Sequence, residues 1–518
     1  MKDIEYNWWP GSMAVANEKF LLQCSELYSK HYGVWGKEGI RPQKPIRLSN
    51  NRLREWLDKE HVSIYYATEN DVVIGYAIAF SKNEQGYGIV TWVTQLVVHR
   101  DYRNRGIAKK ILLSIWGFSN HFAWGIVSAN PYAIRALEKA TRRRAYPMRI
   151  KKNATKLRNI GRDNVTYIND DTVFNICKDR SIVNTQFYVD HSDTINKIAN
   201  VTSKDVPWEL GMIEEGWEWF AFTFKDQQQI PLSPEEIDDM IRTSDSIVKK
   251  AYSNMNLQSK KQGWTKNTKS EIDYINAKVD LYSVDLAYDL GCGIGRHSIE
   301  LAERGVEVIG IDYTKNNIDM AKEKINRKNL SNIHVYEDDC RNYKNERKGS
   351  LVICLYDVVG SYSTREENIK IIQTAYSLLK SGGYAVFSVM NYKTTLANAK
   401  YTFTLAENPD CLLDLPATNI QEETGNIFNP EYYLVDIDTH LVYRKEQFSK
   451  EAELPVELIV RDMRYEKEEI VSMCTEIGFS VIEVKYTNAS GWEKEYDACS
   501  KEAKEILVIC HKEEGESI

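Results

Sequence analysis

The sequence predicts two domains in series: an α+β domain on a largely antiparallel sheet, then an α/β domain on a mostly parallel sheet. A chain of 518 residues is longer than one hydrophobic core ordinarily holds, so at least two domains are expected. Before residue 230, runs rich in Val, Ile, Tyr and Thr are separated by turn residues, which is typical of antiparallel strands. After it, strand and helix patterns alternate, which is typical of a parallel sheet covered by helices on both faces.

The individual elements follow from the same patterns. In the first half, strands are predicted at 63–67, 72–80 and 90–98. In the second half, strands are predicted at 287–290, 307–311, 333–336, 351–355 and 384–389, the last after a turn at 379–384. Residues 206–211 and 217–222 alternate like a hairpin, whose tryptophans are expected in the core.

A polar, proline-containing link at residues 227–234 separates the two halves. Ser233 and Glu236 have the spacing of a capping box, so a helix is expected to start there. The first domain is therefore assigned to 1–230, with a core at about 10–150 and added β structure at 151–230, and the second to 231–518, with an insertion at about 392–465.

Composition narrows the classes of protein. With 43% hydrophobic and 27% charged residues, the chain has the balance of a globular protein, and it has no run of about 20 apolar residues to span a membrane. It begins without the features of a secretory signal, so a cytoplasmic location is expected. Nine scattered cysteines without a CxxC pair predict reduced thiols and no metal site. A net charge of −7 argues against a nucleic-acid partner, and the oligomeric state is left open.

A glycine-rich loop follows the first predicted strand of the second half. Asp289 ends that strand, and Gly291, Gly293 and Gly295 lead into a helix that begins near Arg296. Glycines at such a turn let the backbone approach a ligand closely, while amides at the helix start face it. Dinucleotide-binding folds have a loop here too, but their pattern requires a further glycine where this chain has Arg296. The spacing therefore separates this loop from the dinucleotide type.

Acidic residues end the next two strands. Asp312 stands where a carboxylate can bind both hydroxyls of a ribose, and Asp339 and Cys340 follow the third strand. In this order the residues resemble the class I S-adenosylmethionine (SAM)-dependent methyltransferases, whose fold is Rossmann-like, over about 235–518. The resemblance implies that Asp289 holds the methionine end of SAM, Asp312 the ribose, and Asp339 with the Cys340 backbone the adenine. The implied SAM-binding residues are Asp289, Gly291, Cys292, Gly293, Gly295, Asp312, Asp339, Cys340 and Leu355.

The resemblance fixes no catalytic residue, because methyl transfer from a sulfonium needs mainly alignment and a dry pocket. By position, Tyr356, Asp357, Tyr362 and Asn391 are candidates to line the site, although loop hydrogen bonding accounts for them equally well. Members of the family that act on small molecules build a substrate lid where the insertion at 392–465 lies. A small-molecule substrate is therefore expected.

A second motif lies in the first half, where the strand at 90–98 runs into a loop and then an apolar helix. Exposed amides at a helix start suit a pyrophosphate. The loop is similar to the acyl-CoA loop of the GNAT acetyltransferases, a resemblance that covers about 10–150 and implies acetyl-CoA as cofactor. The implied contacts are Arg103, Asn104, Arg105, Gly106, Ile107, Ala108 and Asn130, with the backbone of Leu96, Val97 and Val98 pairing with pantetheine like an added strand.

The first domain departs from the family at its acid and base groups. Leu137 stands where many members have a tyrosine that protonates the thiolate, so another donor is needed. Tyr132 is a candidate, although packing is the more ordinary role of such an aromatic ring. On the strand segment 91–95, no acid stands out to take a proton from an amine.

Three functions fit these residues. The leading hypothesis is a bifunctional enzyme that methylates and N-acetylates a small-molecule substrate. The second is an active methyltransferase whose first domain binds CoA or recruits substrate without turnover. The third is an enzyme that modifies a protein or a tRNA and binds this substrate through the basic stretch at 142–162. Two other roles also fit that stretch: it can be a solvated helix face, or it can bind the CoA phosphates.

Overall fold

In the computed structural model the chain divides into two units, each with a sheet of its own. The N-terminal unit is Met1–Val248 with Gln447–Leu458, and the C-terminal unit is Lys249–Glu446 with Ile459–Ile518. Among the described residues, no helix is long and apolar enough to cross a membrane. The structure describes residues 4–116, 119, 121–230, 233, 235–241, 247, 263–408, 411–419, 426–448, 456–489 and 491–513.

The N-terminal unit contains one sheet of eight strands. They are β1 (Glu5–Pro10), β2 (Val62–Glu69), β3 (Val72–Glu84), β4 (Gly88–Val98), β5 (Ala123–Ser128), β6 (Phe174–Cys177), β7 (Arg180–Phe187) and β8 (Gly216–Phe224). Their order is β1-β2-β3-β4-β5-β8-β7-β6, and all neighbours are antiparallel except β4 and β5. The prediction of a largely antiparallel sheet is confirmed, and the three strands predicted for the first half are β2, β3 and β4.

The parallel pair β4 and β5 opens at one end. Its pairing runs from Val90 with Ala123 to Val93 with Ile126 and stops there, although β4 continues to Val98. Beyond Val93, β4 keeps β3 as its partner on the other side. The backbone after Val93 therefore presents an edge whose hydrogen-bonding groups β5 does not use.

Helices of the N-terminal unit cover the sheet. The Glu236 N–H donates a hydrogen bond of 3.3 Å to Ser233 Oγ, and the Ser233 N–H donates one of 3.2 Å to Glu236 Oε2. The predicted helix start is thus confirmed, with residues 235–241 helical. The other α-helices are α1 (Gly11–Val15), α2 (Glu18–His31), α3 (Asn50–Leu57), α4 (Ile107–Trp116), α5 (Pro131–Thr141), α6 (Pro147–Asn164) and α7 (Thr194–Asn200).

The hairpin predicted from residues 206–211 and 217–222 is wrong. Residues 217–222 lie in β8, which pairs with β5 and β7, whereas 206–211 contains no strand. The aromatic run reflects a strand buried on both faces, because Trp219 and Phe220 point to opposite faces and both are buried. The Trp219 indole donates a hydrogen bond of 2.9 Å to the Gly211 carbonyl, so the 206–211 segment packs onto the sheet.

The C-terminal unit has a seven-stranded sheet with the order β11-β10-β9-β12-β13-β20-β19, and a smaller sheet formed by β14 to β18. β9 to β13 pair parallel, and β20 pairs antiparallel with both of its neighbours, β13 and β19, so the predicted mostly parallel sheet is confirmed. The strands are β9 (Leu286–Leu290), β10 (Glu307–Asp312), β11 (Ile333–Glu337), β12 (Gly349–Cys354), β13 (Leu379–Met390), β14 (Thr402–Phe403), β15 (Ala417–Thr418), β16 (Tyr433–Asp436), β17 (Leu441–Phe448), β18 (Val456–Met463), β19 (Ser480–Thr487) and β20 (Glu505–His511).

Both faces of the larger sheet are buried. One hydrophobic cluster includes Phe387 and Val508, and the other includes Ile353 and Leu507. The turn predicted at 379–384 is an irregularity within β13, where pairing with β12 shifts register. The α-helices are α8 (Thr268–Lys278), α9 (Arg296–Glu303), α10 (Lys315–Arg327), α11 (Arg365–Leu378), α12 (Tyr392–Asn398), α13 (Cys411–Asp414) and α14 (Lys467–Ile477).

Candidate functional sites

The glycine loop connects β9 to α9 at the C-terminal edge of the parallel sheet. Gly291, Gly293 and Gly295 have φ of +77°, +53° and +76°, the left-handed region that favours glycine. A Cβ atom on Gly291 would collide with Val358, whereas one on Gly293 would meet no atom within 4 Å. The loop is therefore packed against the protein at Gly291 and open at Gly293.

Asp312 ends β10 beside this loop. Its carboxylate accepts hydrogen bonds from the backbone N–H groups of Gly293, at 2.9 Å, and Thr314, at 2.8 Å. Burial raises the pKa of Asp312, and these two backbone donors oppose the rise. The bond to Gly293 joins the predicted ribose-binding acid to the predicted cofactor loop.

Asp289, the last acid before the loop, is buried in β9. Its Oδ2 atom accepts a hydrogen bond of 2.5 Å from the Ser298 hydroxyl. Burial raises the pKa of Asp289 to about 6, against the opposing effects of Ser298 and the Arg296 charge. Cys292, in the loop, is buried, and its backbone N–H donates to the Ile311 carbonyl at 2.9 Å.

Asp339 and Cys340 follow β11, the next strand along the edge. The Asp339 carboxylate pairs with Arg341 at 2.6 Å, and the Arg341 guanidinium lies 4.1 Å from the centre of the Tyr362 ring. The thiol of Cys340 is buried and donates to the Ile311 carbonyl at 3.9 Å. With Leu355 just after β12, the predicted SAM-binding residues line the ends of four adjacent strands.

Tyr356 belongs to a polar cluster that the sequence did not predict. Its hydroxyl donates to Glu271, a buried residue of α8. The same carboxylate accepts from Arg296, at 2.9 Å, and from His297, at 2.7 Å. Burial lowers the pKa of His297 to about 4, so its ring is neutral near pH 7 and donates to Glu271. Glu271 shows no signal in the sequence because only the folded chain brings α8 to the glycine loop.

Asn391 follows β13 and is fully committed to the fold. Its amide donates to the carbonyls of Ala498, at 2.8 Å, and Ala503, at 2.6 Å, and its oxygen caps α12 by accepting from the Lys393 N–H at 2.9 Å. Asn391 therefore has no free polar atom with which to play the role in the reaction that was predicted for it. Asp357 is half-buried, and desolvation raises its pKa.

The predicted lid region contains the hairpin of β16 and β17, which pair antiparallel. Arg464, at its base, is buried and donates to Asp462 at 2.9 Å and to Thr395 at 2.7 Å. Arg444 of β17 also pairs with Asp462. These charges are therefore paired within the unit.

In the N-terminal unit, the loop 103–108 joins the open end of β4 to α4. Asn104 and Gly106 have φ of +61° and +76°, and a Cβ atom on Gly106 would meet no atom within 4 Å. The Arg103 guanidinium donates to the carbonyls of Val98, at 3.2 Å, and His31, which ties the loop to β4 and α2. The Arg103 side chain thus holds the loop in place, while the loop is open at Gly106.

The other predicted residues of this unit have structural contacts. Asn130 caps α5, because its Oδ1 atom accepts from the Tyr132 N–H at 3.0 Å. The Tyr132 side chain is 38% exposed, and its hydroxyl accepts from Asn200 at 3.3 Å. Leu137 is buried in the core. Tyr132 is thus the accessible one of the two positions considered for a proton donor.

One buried acid of this unit was not predicted from the sequence. Glu218, in β8, accepts a hydrogen bond of 2.8 Å from the Thr185 hydroxyl. Burial raises its pKa to about 7, against hydrogen bonds from Thr185 and the Ala129 backbone. The available signal was a single charged residue inside the aromatic run at 217–222, to which no role was assigned from the sequence.

The basic stretch at 142–162 serves the fold at several positions. Arg142 and Arg143 are buried and donate to backbone carbonyls of Ile230, at 2.9 Å, and Thr141, at 2.8 Å. Others are paired, with Arg149 contacting Asp226 and Arg162 contacting Asp163. The stretch is therefore divided between structural contacts and an exposed helix face.

Two family models match the chain. The methyltransferase domain matches residues 287–383, and the acetyltransferase (GNAT) family matches residues 23–141. The ubiquinone biosynthesis O-methyltransferases of Acinetobacter baylyi and Coxiella burnetii are both 27% identical to it, over 125 and 139 residues. These matches cover 23% and 26% of this chain and 50% and 57% of the relatives, so the chain spans about half the length of the curated relatives it matches.

Solved structures similar to the chain include the CcbJ methyltransferase from Streptomyces caelestis, at 16% identity over 48% of this chain and 90% of that one, with a TM-score of 0.36. A SAM-dependent methyltransferase from Clostridium acetobutylicum is also 16% identical, over 54% of this chain and 99% of that one, with a TM-score of 0.35.

The family matches identify two domains in this chain, and both belong to families of transferases. More particularly, the chain carries a GNAT acetyltransferase domain and a methyltransferase domain. The methyltransferase relatives support a SAM-dependent methylation role for the C-terminal unit.

Proposed function

We propose that the C-terminal unit transfers the methyl group of SAM to a small-molecule substrate and that the N-terminal unit transfers an acetyl group from acetyl-CoA to an amine. The observation that carries the first part is the row of Asp289, Asp312 and Asp339 at the ends of three adjacent parallel strands. The open edge of β4 beside the loop 103–108 supports the second part.

The residues at the glycine loop fit SAM. The open space at Gly293 admits a ligand close to the backbone, and the buried Asp312 carboxylate beside it can accept hydrogen bonds from ribose hydroxyls. Asp289, one strand away, would face the methionine end. When bound, SAM supplies a methyl group activated by its sulfonium.

The chain's own residues align the acceptor and exclude water. Glu271 and Arg296 hold the Tyr356 side chain from two sides, with the Arg296 guanidinium 4.6 Å from the ring centre. A side chain fixed in this way shapes a wall of the site. The hairpin of β16 and β17 would close over the substrate, and such closure serves an in-line displacement, which depends on geometry.

Replacing Asp312 tests the methyl-transfer half. We expect Asp312→Asn to weaken SAM binding about 10- to 100-fold, because hydrogen bonds to a charged group contribute about 1.5–3 kcal/mol. Calorimetric titration of the full chain with SAM measures this. The matched control is Asp319→Asn, which removes an exposed acid of α10 paired with Lys315; its SAM affinity should equal that of the wild type. If Asp312→Asn binds SAM as tightly as the wild type, the SAM site does not lie at this loop.

The acetyl-transfer half has one competing function. The buried Leu137 offers no proton donor, which favours a domain that binds CoA without turnover. Against this, the fold supplies Tyr132 as an accessible hydroxyl and Glu218 as a buried acid. Release of CoA thiol from acetyl-CoA in the presence of amines separates the two functions.

A further inference from the structure

Glu218 lies beside the opening between β4 and β5. β5 leaves β4 after Ile126 and continues along β8, where Ser128 is opposite Trp219. The next residue of β8, Glu218, is hydrogen-bonded to the backbone of Ala129, directly after β5. β8 therefore delivers a carboxylate to the place where the two parallel strands part.

The Glu218 carboxylate has no cationic partner in the part of the chain that the structure describes. Glu218 is only 6% exposed. The two groups that donate hydrogen bonds to its carboxylate, the Thr185 hydroxyl and the Ala129 backbone, are neutral. A buried carboxylate costs several kcal/mol unless a counter-charge or several donors compensate it. A glutamine would make the same two contacts without that cost. The acid is therefore better explained by a ligand than by packing.

Three tyrosines, Tyr28, Tyr32 and Tyr167, lie within electrostatic reach of the acid. The rings of Tyr28 and Tyr32, from α2 and the residue after it, stack with their centres 4.2 Å apart. Burial, and after it the charge of Glu218, raises the pKa values of Tyr32 and Tyr167, which places both phenols within its electrostatic reach. Tyr32 and Tyr167 are half-buried, so part of each residue is in contact with solvent.

Fully buried aromatic rings follow along the strands. Trp92 of β4 packs edge-on against Phe220, with ring centres 5.6 Å apart. Phe220 is two residues from Glu218, so both side chains leave β8 on the same face. A carboxylate among aromatic faces binds an ammonium group through a charged hydrogen bond and cation–π attraction.

We propose that Glu218 binds the acceptor of acetyl transfer, a primary amine carried on an apolar or aromatic body, and takes a proton from it. This inference rests on the acetyl transfer proposed above. It assigns the missing acid to a strand that lies outside the GNAT match, which ends at residue 141. That location accounts for the lack of an acid at 91–95.

In this step the acceptor arrives as an ammonium, and one of its protons passes to the Glu218 carboxylate. The nitrogen lone pair then attacks the thioester carbon, the carbon–sulfur bond breaks, and its electron pair stays on sulfur. A second proton from nitrogen reaches the thiolate, which gives an amide and CoA thiol. Glu218 returns its proton to water.

The test compares Glu218→Gln with Glu214→Gln in the full chain. Both substitutions remove one acid near β8, but Glu214 is exposed. With phenethylamine and tyramine as probes, thiol release by Glu218→Gln should fall at least about 100-fold in kcat/KM, the usual range for loss of a general base. Acetyl-CoA affinity should stay within about twofold of the wild type, and Glu214→Gln should be unchanged.

A second readout separates binding from folding. An ammonium beside Glu218 lowers the pKa of that acid, so at pH 6.5 amine binding should release protons from the wild type and none from Glu218→Gln. Calorimetry in two buffers of different ionisation heat measures the difference. Normal turnover in Glu218→Gln overturns this inference alone. Wild-type protein that binds acetyl-CoA but acetylates neither amine overturns both the inference and the proposed acetyl transfer for this class of acceptor.

Discussion

Gly291 and Gly293 stand two residues apart in one loop but face different surroundings. Both have positive φ, yet a side chain at Gly291 would collide with Val358 and one at Gly293 would point into open space. The first glycine therefore serves the packing of the protein, and the second leaves open space beside the backbone, where we propose that SAM binds. The same loop carries both requirements within three residues.

Alanine at each position should separate these roles. Gly291→Ala should lower the free energy of unfolding by about 2–4 kcal/mol, since backbone strain adds to the collision with Val358. Gly293→Ala should cost about 1–2 kcal/mol of strain alone but weaken SAM binding more strongly, because its methyl group occupies the ligand's approach. Urea unfolding and calorimetry measure the two effects. Equal losses of stability would contradict the assigned surroundings.

Residues within one loop were predictable, and residues gathered by the fold were not. Asp289 through Gly295 form a contiguous pattern whose spacing indicates a cofactor loop. Glu271 meets Arg296 only after α8 packs beside α9, and Glu218 reaches the opening of β4 only because β8 pairs with β5. Long-range pairing of this kind leaves no spacing signal in the chain.

At the scale of elements, the end of β13 is a junction. Asn391 joins the strand to the start of α12 and to the segment 498–503 through three hydrogen bonds. An amide with every polar atom occupied fixes three backbone segments at once. This position, after the fifth parallel strand, made Asn391 a candidate for the reaction, and its contacts make it a structural residue.

Asn391→Ala should destabilise the C-terminal unit by about 2–4 kcal/mol, because it leaves buried carbonyls without donors. The matched control is Asn398→Ala in α12, whose amide donates to Thr394 at 2.7 Å and is only half-buried; it should cost less than about 1 kcal/mol. SAM affinity of the folded protein should be normal in both. Normal stability with lost methyl transfer in Asn391→Ala would restore the residue to the reaction.

Strand and helix order was predictable where hydrophobic period and turn residues agreed. The strands β9 to β12 coincide closely with their predicted ranges because each buried run ends at a turn. The strand predicted at 217–222 lies within β8, but the partner predicted for it, 206–211, was wrong, because the local pattern of a central strand does not indicate its neighbours. Its partners, β5 and β7, are set by the sheet and not by the local pattern.

At the scale of the whole molecule, a GNAT acetyltransferase domain and a methyltransferase domain share one chain. Each unit has its own sheet and a glycine-bearing loop between a strand and a helix, with acidic groups brought in from neighbouring strands. The class of each unit was predictable from these loops. The acceptors were not, because they are recognised by residues scattered over several elements.

The most direct measurement follows both cofactor products in one reaction. The full chain is incubated with SAM, acetyl-CoA and a set of amines, and S-adenosylhomocysteine and free CoA thiol are quantified. We expect amine-dependent thiol release. We also expect S-adenosylhomocysteine to form with at least one acceptor, and Asp312→Asn to lower its formation about 10- to 100-fold at SAM concentrations well below saturation. Binding of acetyl-CoA without thiol release for any amine would contradict the bifunctional enzyme and leave a methyltransferase with a CoA-binding module.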